Sequence, residues 1–588
     1  MRSMVVRGQR RSRKNPTIAG FGGNWWVLVI AILALALRVV YLLQAREHLY
    51  FNGFSDSLYY HEWAQRIIQG KPGLQVFYMG PLYPYLLAFF YRIFGPRPEA
   101  VLWFQVLLGS ASCILIYHLG RMVFGRKVGL LAALMGALYA VEIFYESALL
   151  MAVTLYTLNL LLLTSIFWAL QRKRWFLWII PGLLLGFSAL GRANVLSFLP
   201  FLMLGVYLLV RARGERGGRS SLAVFLGVFL VLAPVAVHNV AVGHDLVLIT
   251  SNFGLNFFVG NNPDAPGYYE PPKGLDLSRD LYGAKIAGVY MGRRLKPSEV
   301  SRFWFQKALA FVRAQPGAFL RLMVNKFLFF WNGYEIPQAE HLNFFKKFAP
   351  VLSWPLLGFS VLGPLGLLGM ALGLGSWRKT YFLLTFVLSL MGTTILFFVL
   401  SRLRLQVCSV LMVFAAYALV WLWGRLRARQ IRQLAVAVLA LVSLTLLVNW
   451  PHPGLNPARD LAQSQSFLAL HLQQKGDLEG ASREYEGAVS TYPRLGNIYV
   501  DLATLRLEQG QAHEALNLYK KALQVDPQVS GVHLNLGRFY AQQGLWNQAI
   551  AEFRAEIKAS PYDLKALEDL YRALQEREKL RGGQPPEK

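Results

Sequence analysis

The stretch Phe54-Ser55-Asp56-Ser57-Leu58-Tyr59-Tyr60-His61-Glu62-Trp63 is a polar and aromatic run that follows the first long apolar segment of the chain. A helix over 57–69 would place Tyr59, Trp63 and Ile67 on one face, because residues four apart are neighbours on a helix surface. Such a helix suits the bilayer surface, where aromatic rings lie at headgroup level. Asp56 would stand at its N-terminus, either as a functional carboxylate or as the N-cap. The two roles can coexist.

The composition surrounding this stretch is that of a membrane protein. Of the 588 residues, 55% are hydrophobic and only 16% are charged, and the mean hydropathy is +0.37. The formal net charge of +28 does not indicate nucleic-acid binding, because much of the basic surplus lies in short segments between apolar runs. Cys113 and Cys408 lie inside apolar runs, so we expect them to pack and not to form a disulfide.

Eleven apolar runs come close to the roughly 17 to 25 residues that a membrane-spanning helix needs. They lie near 25–44, 99–119, 128–145, 147–170, 175–191, 194–210, 221–240, 350–375, 380–400, 405–423 and 433–450. Basic residues concentrate in alternate loops, which predicts a cytoplasmic N-terminal tail over 1–24 and a retained signal anchor after it. We therefore expect an all-α, multi-pass protein of a bacterial inner membrane.

This orientation places the loops 45–98 and 241–349, together with everything after Trp450, outside the cytoplasm. Arg38 lies near the outer end of the first run and is expected to snorkel toward the interface. The apolar segment 319–331 is too short to span a bilayer, so we expect a half-inserted or interfacial helix there.

The polar C-terminal part contains an internal repeat. Glycines, prolines, aromatic residues and alanines recur at a spacing of 34 residues. They are Gly476, Gly510 and Gly544; Pro493, Pro527 and Pro561; Tyr485, Tyr519 and Phe553; and Ala481, Ala515 and Ala549. That period is the tetratricopeptide signature, whose superhelix binds peptides or proteins on its concave face. The sequence thus predicts a membrane domain over 25–450, a linker over 451–458, a solenoid over 459–580 and a polar tail over 581–588. The solenoid could also be a spacer or dimerisation element without a peptide ligand.

Four groups of charged residues lie at predicted outer ends of spans, where charge is costly and therefore indicates function. They are Asp56 with His61 and Glu62; Glu142 with Glu146; Arg192; and Arg402 with Arg404. Carboxylates beside guanidinium groups suit a reaction in which a base activates an acceptor while cations stabilise a phosphate leaving group. Two groups also have a purely structural interpretation: His61 and Glu62 could be a solvated helix face, and Glu146 could pair with a basic residue to stabilise a short loop. Arg402 and Arg404 break the positive-inside pattern, so we expect them to bind an anion.

The long outer loop contains Thr250-Ser251-Asn252-Phe253-Gly254-Leu255-Asn256-Phe257-Phe258-Val259-Gly260-Asn261-Asn262-Pro263. Amides such as those of Asn256 and Asn261 bind sugar hydroxyls, and aromatic rings cover the apolar face of a pyranose. A tightly turned loop would use the same residues. The sequence contains no metal-ligand spacing, phosphate-binding glycine loop or nucleophile elbow in its required context. No cofactor is therefore predicted, and a divalent cation is left open.

The order of these features over about 25–450 resembles the GT-C membrane glycosyltransferases, in the branch of protein O-mannosyltransferases and aminoarabinose transferases (glycosyltransferase family 39-like). The resemblance rests on short stretches that recur in the same order. They are Ala36-Leu37-Arg38, Asp56 with Tyr59-Tyr60, Gly80-Pro81-Leu82-Tyr83-Pro84-Tyr85, Glu146, Gly191-Arg192-Ala193-Asn194, the loop 251–263, Phe330-Trp331-Asn332-Gly333-Tyr334-Glu335-Ile336-Pro337 and Arg402 to Arg404.

The resemblance implies that Asp56 is the catalytic base toward the acceptor and that the donor is a sugar on a polyprenyl phosphate carrier. It places Glu146, Arg192, Arg402 and Arg404 around the substrates. Further substrate-binding residues are predicted from their positions in the loops 45–98 and 241–349: Tyr59, Tyr60, His61, Glu62, Asn256 and Asn261. Ser57 follows Asp56 where the eukaryotic mannosyltransferases have an acidic pair, so the acceptor need not be protein. Leu403 and Gln406 also depart from the Arg-Tyr-Arg-Leu-Pro pattern of the family.

Transfer of a sugar to an acceptor hydroxyl on the outer face is therefore the predicted function, and the solenoid would recruit an acceptor or partner protein. Two other classes remain open. The chain could be a membrane-anchored tetratricopeptide scaffold for envelope assembly, or it could be a ligase or transporter of lipid-linked glycans. A transporter should repeat its span pattern in two halves, and this sequence shows no such repeat.

Overall fold

The computed structural model describes residues 25–46, 56–71, 76–277, 280–338 and 341–580. The described residues form helices and no β-strands, with isolated bridges at Tyr139–Leu357 and Tyr268–Val399. This confirms the all-α prediction. The tails at 1–24 and 581–588, and Phe54 and Ser55 of the opening stretch, lie outside the described residues.

The N-terminal half of the membrane domain contains ten α-helices and two 3₁₀ turns, at 175–178 and 193–198. The α-helices are α1 (Trp25–Ala45), α2 (Asp56–Ile68), α3 (Leu82–Phe94), α4 (Pro98–Phe124), α5 (Arg126–Ala137), α6 (Ala140–Glu146), α7 (Ala152–Leu170), α8 (Ile179–Gly191), α9 (Leu199–Arg211) and α10 (Gly217–Ala241).

The rest of the membrane domain comprises the outer-loop helices and four further apolar helices. They are α11 (Phe253–Gly260), α12 (Ala284–Met291), α13 (Pro297–Ala314), α14 (Pro316–Trp331), α15 (Leu342–Phe345), α16 (Phe359–Gly373), α17 (Trp377–Leu396), α18 (Ser401–Arg427) and α19 (Ile431–Val448). Short 3₁₀ turns lie at 350–353 and 374–376.

Eight helical segments in the described part of the chain are long and apolar enough to cross a membrane. One of them, Phe359–Leu396, is counted as one segment of 38 residues but comprises α16, a 3₁₀ turn and α17, which correspond to two predicted spans. The predicted span 128–145 is divided between α5 and α6, because Tyr139 adopts an extended conformation and its backbone pairs with Leu357. Eleven is therefore an approximate span count, and the multi-pass architecture is confirmed.

The helix predicted over 319–331 is α14, a 16-residue helix that exposes apolar side chains. Leu320 is 65% exposed and Val324 is 51% exposed, whereas Lys326 on the same helix is fully buried. Apolar residues outward and a cation inward are the arrangement expected where the surroundings are lipid. The interfacial position of α14 stays a prediction.

The prediction that Arg38 snorkels is wrong. Arg38 is completely buried, and its Nε atom lies 2.7 Å from an oxygen of Glu146, while Nη2 lies 3.5 Å from Glu142. Both carboxylates are buried as well. A guanidinium that finds carboxylate partners inside the protein has no need to reach the interface. The prediction that the two cysteines pack is confirmed, since both are free and buried.

Seven helices follow Trp450: the first six form three pairs of helices in contact, and the last one packs against the sixth. They are α20 (Pro457–Gln474), α21 (Leu478–Thr491), α22 (Gly496–Glu508), α23 (Ala512–Val525), α24 (Val532–Gln542), α25 (Trp546–Ala559) and α26 (Leu564–Leu580). Gly476, Gly510 and Gly544 of the 34-residue repeat each have a positive φ, of 85°, 79° and 74°, in the turn inside each pair. Glycine is favoured there because other residues adopt that conformation at a steric cost.

The solenoid is docked on the loop 241–349 of the membrane domain along much of its length. At its N-terminal end, the Tyr334 hydroxyl donates to Asp460 at 2.8 Å, and Lys347 lies 2.8 Å from Glu484. At the other end, Lys565 lies 3.1 Å from Asp276. The repeats therefore cover the face of the membrane domain that carries the loop 241–349.

Candidate active site

The carboxylate of Asp56 forms an ion pair with a residue that is 346 positions away in sequence. Helix α2 begins at Asp56. The Oδ2 atom of Asp56 accepts a hydrogen bond from Nη2 of Arg402 at 2.7 Å. Arg402 belongs to the first turn of α18, where the helix dipole adds positive potential. The two charged groups that the sequence analysis placed at separate span ends are thus in direct contact.

This ion pair lies in the wall of a cavity of about 1600 Å³, formed between the membrane domain and the start of the solenoid. The ends of the apolar helices contribute Arg192, Asn194 and Thr394, and α2 contributes Asp56 and Tyr60. A cavity of this size exceeds the usual range for a small-molecule site. It has room for a sugar phosphate together with an acceptor group.

Arg192 provides a second cation in the same wall. It stands between α8 and the 3₁₀ turn that precedes α9, in an extended conformation. It is close enough to Arg402, Tyr60 and Asp56 for their charges to act on it. Its Nη1 atom is buried and has no hydrogen-bond partner among the described residues. A guanidinium N–H left in this way is suited to an anionic oxygen of a ligand.

Arg192 is positioned by a close approach of two backbones. A Cβ atom at Gly80 would lie 2.3 Å from the carbonyl oxygen of Gly191, so no larger residue fits there without a backbone shift. Gly80 precedes the turn at Pro81 that begins α3, and both glycines line the cavity. The Gly80 and Gly191 stretches that carried the family resemblance therefore meet in space and fix the Arg192 turn.

Tyrosines surround Asp56. Tyr59 and Tyr60, which the sequence analysis singled out, line the cavity, and so do Tyr78 and Tyr269, which it did not. Burial raises the pKa of Tyr60 and Tyr269, and the nearby negative charge of Asp56 raises both further. These phenols therefore stay protonated at neutral pH and can donate hydrogen bonds to substrate oxygens.

Among the remaining predicted residues, Glu62 and Asn256 also line the cavity. Asn261 is fully buried outside it, where its amide donates to the carbonyl oxygens of Phe257 and Leu396, both at 2.9 Å. Its Oδ1 atom accepts from the ammonium group of Lys326, also at 2.9 Å. Asn261 thus holds the loop after α11, and Asn256 on the preceding turns faces the cavity.

Lys326 lies at the centre of that arrangement. Its Nζ atom also donates to the carbonyl oxygens of Gly260 at 2.7 Å and Phe397 at 2.6 Å, and burial lowers its pKa to about 7. These contacts tie α14 to the end of α11 and to the end of α17. Phe397 itself lines the cavity, so Lys326 supports the wall from behind.

Arg404, His61 and Glu146 do not line the cavity. Arg404 is 1% exposed and donates to the carbonyl oxygens of Phe330, Asn332 and Tyr334 and to the Glu335 carboxylate. His61 bonds through Nδ1 to the Tyr91 hydroxyl at 2.8 Å. Glu146 is buried against Arg38, as described above, which corresponds to the structural alternative for that residue.

The sequence analysis missed the polar residues that the solenoid and the loop before α12 add to the cavity. They are Glu270, Asp276, Arg459, Asp460, Gln463 and Ser464. Nothing in the repeat pattern distinguishes a helix that faces solvent from one that faces a membrane domain. Within the described part of the chain, no three His, Cys, Asp or Glu side chains converge in a way that could hold a metal ion.

The family comparison agrees with this geometry. Residues 78–240 match the family described as dolichyl-phosphate-mannose-protein mannosyltransferase, and residues 506–574 match the tetratricopeptide repeat family. The predicted resemblance is confirmed. The matched membrane segment begins at Tyr78, contains the Gly80 turn and Arg192, and ends in α10. It thus covers one side of the cavity.

Two of the solved structures that this chain matches come from Archaeoglobus fulgidus. The apo oligosaccharyltransferase of this organism is 13% identical, with 76% of this chain and 58% of that chain covered and a TM-score of 0.39. Its oligosaccharyltransferase AglB, in complex with an inhibitory peptide and a dolichol-phosphate, is 15% identical, with 78% and 60% covered and a TM-score of 0.39. The match spans about three fifths of the length of those chains. No curated protein sequence matches this chain.

Proposed function

We propose that this chain is a membrane glycosyltransferase that moves a sugar from a polyprenyl-phosphate-linked donor to an acceptor hydroxyl on the extracytoplasmic face. The observation that carries the proposal is the Asp56–Arg402 ion pair at 2.7 Å in a cavity that Arg192 also lines. One carboxylate and two guanidinium groups supply a base for the acceptor and cations for a departing phosphate.

In the proposed step, the acceptor oxygen attacks the anomeric carbon of the donor sugar while Asp56 takes the hydroxyl proton. The bond between the anomeric carbon and the phosphate oxygen breaks, and the electron pair leaves with the polyprenyl phosphate. Arg192 and Arg402 stabilise the negative charge that develops on that oxygen. A single displacement inverts the configuration at the anomeric carbon.

The lipid tail of the bound donor would extend from the cavity into the bilayer through an apolar edge of the cavity. Leu248, Phe253 and Leu396 line the cavity, yet they are 72%, 49% and 42% exposed. Exposed apolar side chains at the mouth of a cavity in a multi-pass protein indicate contact with lipid chains. The phosphate could then reach the arginines while the isoprenoid chain stays in the bilayer.

The test is carrier release in nanodiscs from a panel of labelled polyprenyl phosphate sugars, beginning with mannose, with a total extract of source cells that lack this protein as the supply of acceptor. The wild-type protein is compared with Asp56→Asn, which keeps the side-chain size but cannot take the proton. We expect the variant to lose about 100-fold or more in rate, within the usual range for a general base. Glu99→Gln is the matched control, since Glu99 is an acidic residue in the first turn of α4 that does not line the cavity.

Equal rates for the wild-type protein and Asp56→Asn would assign the base to another group. A folded wild-type protein that releases no carrier from any donor would contradict the proposal. The scaffold alternative would then gain support, particularly if substitutions in the repeats abolish function in cells while Asp56→Asn does not.

A further inference from the structure

One face of α20, the first helix of the solenoid, forms part of the cavity wall. Six residues at helical spacing line it: Arg459, Asp460, Gln463, Ser464, Phe467 and Leu470. Their separations of three and four residues place them on a single stripe, because an α-helix has about 3.6 residues per turn. The repeat domain thus presents a continuous helical face to the site that holds Asp56.

The other faces of α20 have separate roles. Ala462 and Ala469 pack in the core of the first repeat, and Leu468 belongs to the hydrophobic core of the membrane domain. Phe467 is part of neither core. Packing between the two domains therefore explains Leu468, and packing within the repeat explains the alanines. Neither explains an aromatic ring and an amide directed at the cavity.

The helix is held in this position by polar contacts at its N-terminus. Arg459 lies 2.7 Å from the Glu270 carboxylate and also bonds to the Tyr268 hydroxyl, while Asp460 accepts from Tyr334. All three partners belong to the outer loops of the membrane domain. These contacts fix the direction of the stripe relative to the cavity.

We propose that this stripe is the acceptor-binding side of the active site, with Gln463 and Phe467 as specificity-determining residues. The proposal rests on the proposed function. Cations suited to the donor phosphate, Arg192 and Arg402, lie at the span ends, and the residues of the apolar edge line the same cavity. The stripe on α20 belongs to the solenoid and therefore lies on the extramembrane side of the cavity, where a molecule approaching from water would enter.

The chemistry of the stripe fits the acceptor better than the donor. Arg459, its only cation, binds the Glu270 carboxylate through Nη2 and the Tyr268 hydroxyl through Nη1, so both terminal nitrogens of its guanidinium are directed to the loop partners. Gln463 accepts a hydrogen bond from Asn497 of the second repeat at 3.2 Å, which orients its amide group. An amide, a hydroxyl and an aromatic ring recognise an uncharged group that carries both polar and apolar surface.

The test measures transfer from labelled polyprenyl phosphate sugar to a total extract of source cells that lack this protein. The extract supplies the natural acceptor, so its identity need not be known. Full-length wild-type protein is compared with Gln463→Ala and Phe467→Leu. Each variant should raise the amount of extract needed for half-maximal transfer by about 10-fold, the size of one lost specificity contact. The KM for the donor should not change.

Gln474→Ala is the matched control, because it removes the same side chain from an exposed position at the end of the same helix. It should leave both parameters unchanged, and thermal unfolding should confirm that every variant is folded. A rise in the donor KM, or no change in either parameter, would overturn the inference. A wild-type protein that releases no carrier would overturn the proposed function, and this inference with it.

Discussion

Arg402 and Arg404 stand two residues apart in the first turn of the same helix, yet they lie in different surroundings. Two residues correspond to about 200° of rotation around an α-helix, so their side chains leave α18 on opposite faces. Arg402 reaches the cavity and pairs with Asp56, whereas Arg404 is sealed inside the protein with Glu335. Two arginines at one span end thus have different roles: Arg402 is part of the candidate site, and Arg404 is part of the protein core.

The number of partners separates the two arginines further. Arg404 donates to three carbonyl oxygens and one carboxylate, and its guanidinium carbon lies 3.6 Å from the ring centre of Phe359. A cation so fully enclosed has no donor to offer a ligand. The comparison teaches that charge at a span end indicates a binding site only where it also has access to a cavity.

The largest expected effect is on stability, from Arg404→Met. This change removes the cation and leaves the Glu335 carboxylate and three carbonyl oxygens without their partner. We expect a loss of roughly 3 to 5 kcal/mol, as for other broken buried ion pairs. Thermal unfolding in detergent measures it. A melting temperature equal to that of the wild-type protein would show that the Arg404–Glu335 pair does not stabilise the fold, and would contradict the structural role assigned to Arg404.

A smaller effect, and one on activity, is expected from Arg402→Gln. The loss of a cation at the leaving phosphate should lower the rate of transfer by about 100-fold. The loss of stability should be smaller than for Arg404→Met, because the cavity leaves room for water around Asp56. Carrier release and thermal unfolding on the same preparation separate the two effects. Arg402→Lys, which keeps the charge, should recover part of the rate.

The smallest effect is expected from Gly80→Ala, which changes no charged group. The added methyl would meet the Gly191 carbonyl oxygen, so the Arg192 turn must shift. A displacement of this kind should lower transfer by about 10-fold through misplacement of the guanidinium. Gly317→Ala is the control, since a Cβ there meets no atom within 4 Å and the residue does not have a positive φ. Transfer that matches the wild-type rate in Gly80→Ala would argue against a positioned Arg192.

Much of the fold could be predicted from the sequence because the responsible signals are local. Apolar run length indicated the spans, and a fixed 34-residue period indicated the repeats. The division between α5 and α6 could not be predicted, because it depends on a backbone contact between Tyr139 and the distant Leu357. Arg38 was misjudged for the same reason, since its carboxylate partners come from α6.

The candidate site was predictable only in part. Asp56, Arg192 and Arg402 were named from charge at span ends, and the structure brings all three to one cavity. The direction of Arg404 depends on how α18 is rotated within the bundle, which a span boundary does not specify. The stripe on α20 depends on how the solenoid docks, and the residues that dock it lie far apart in sequence.

The rate of carrier release by Asp56→Asn tests the central claim most directly, because Asp56 is the group assigned to take the acceptor proton. In nanodiscs with a donor that the wild-type protein uses, the account predicts a folded variant that releases carrier at about 1% of the wild-type rate or less. A folded variant that releases carrier as fast as the wild-type protein would contradict it.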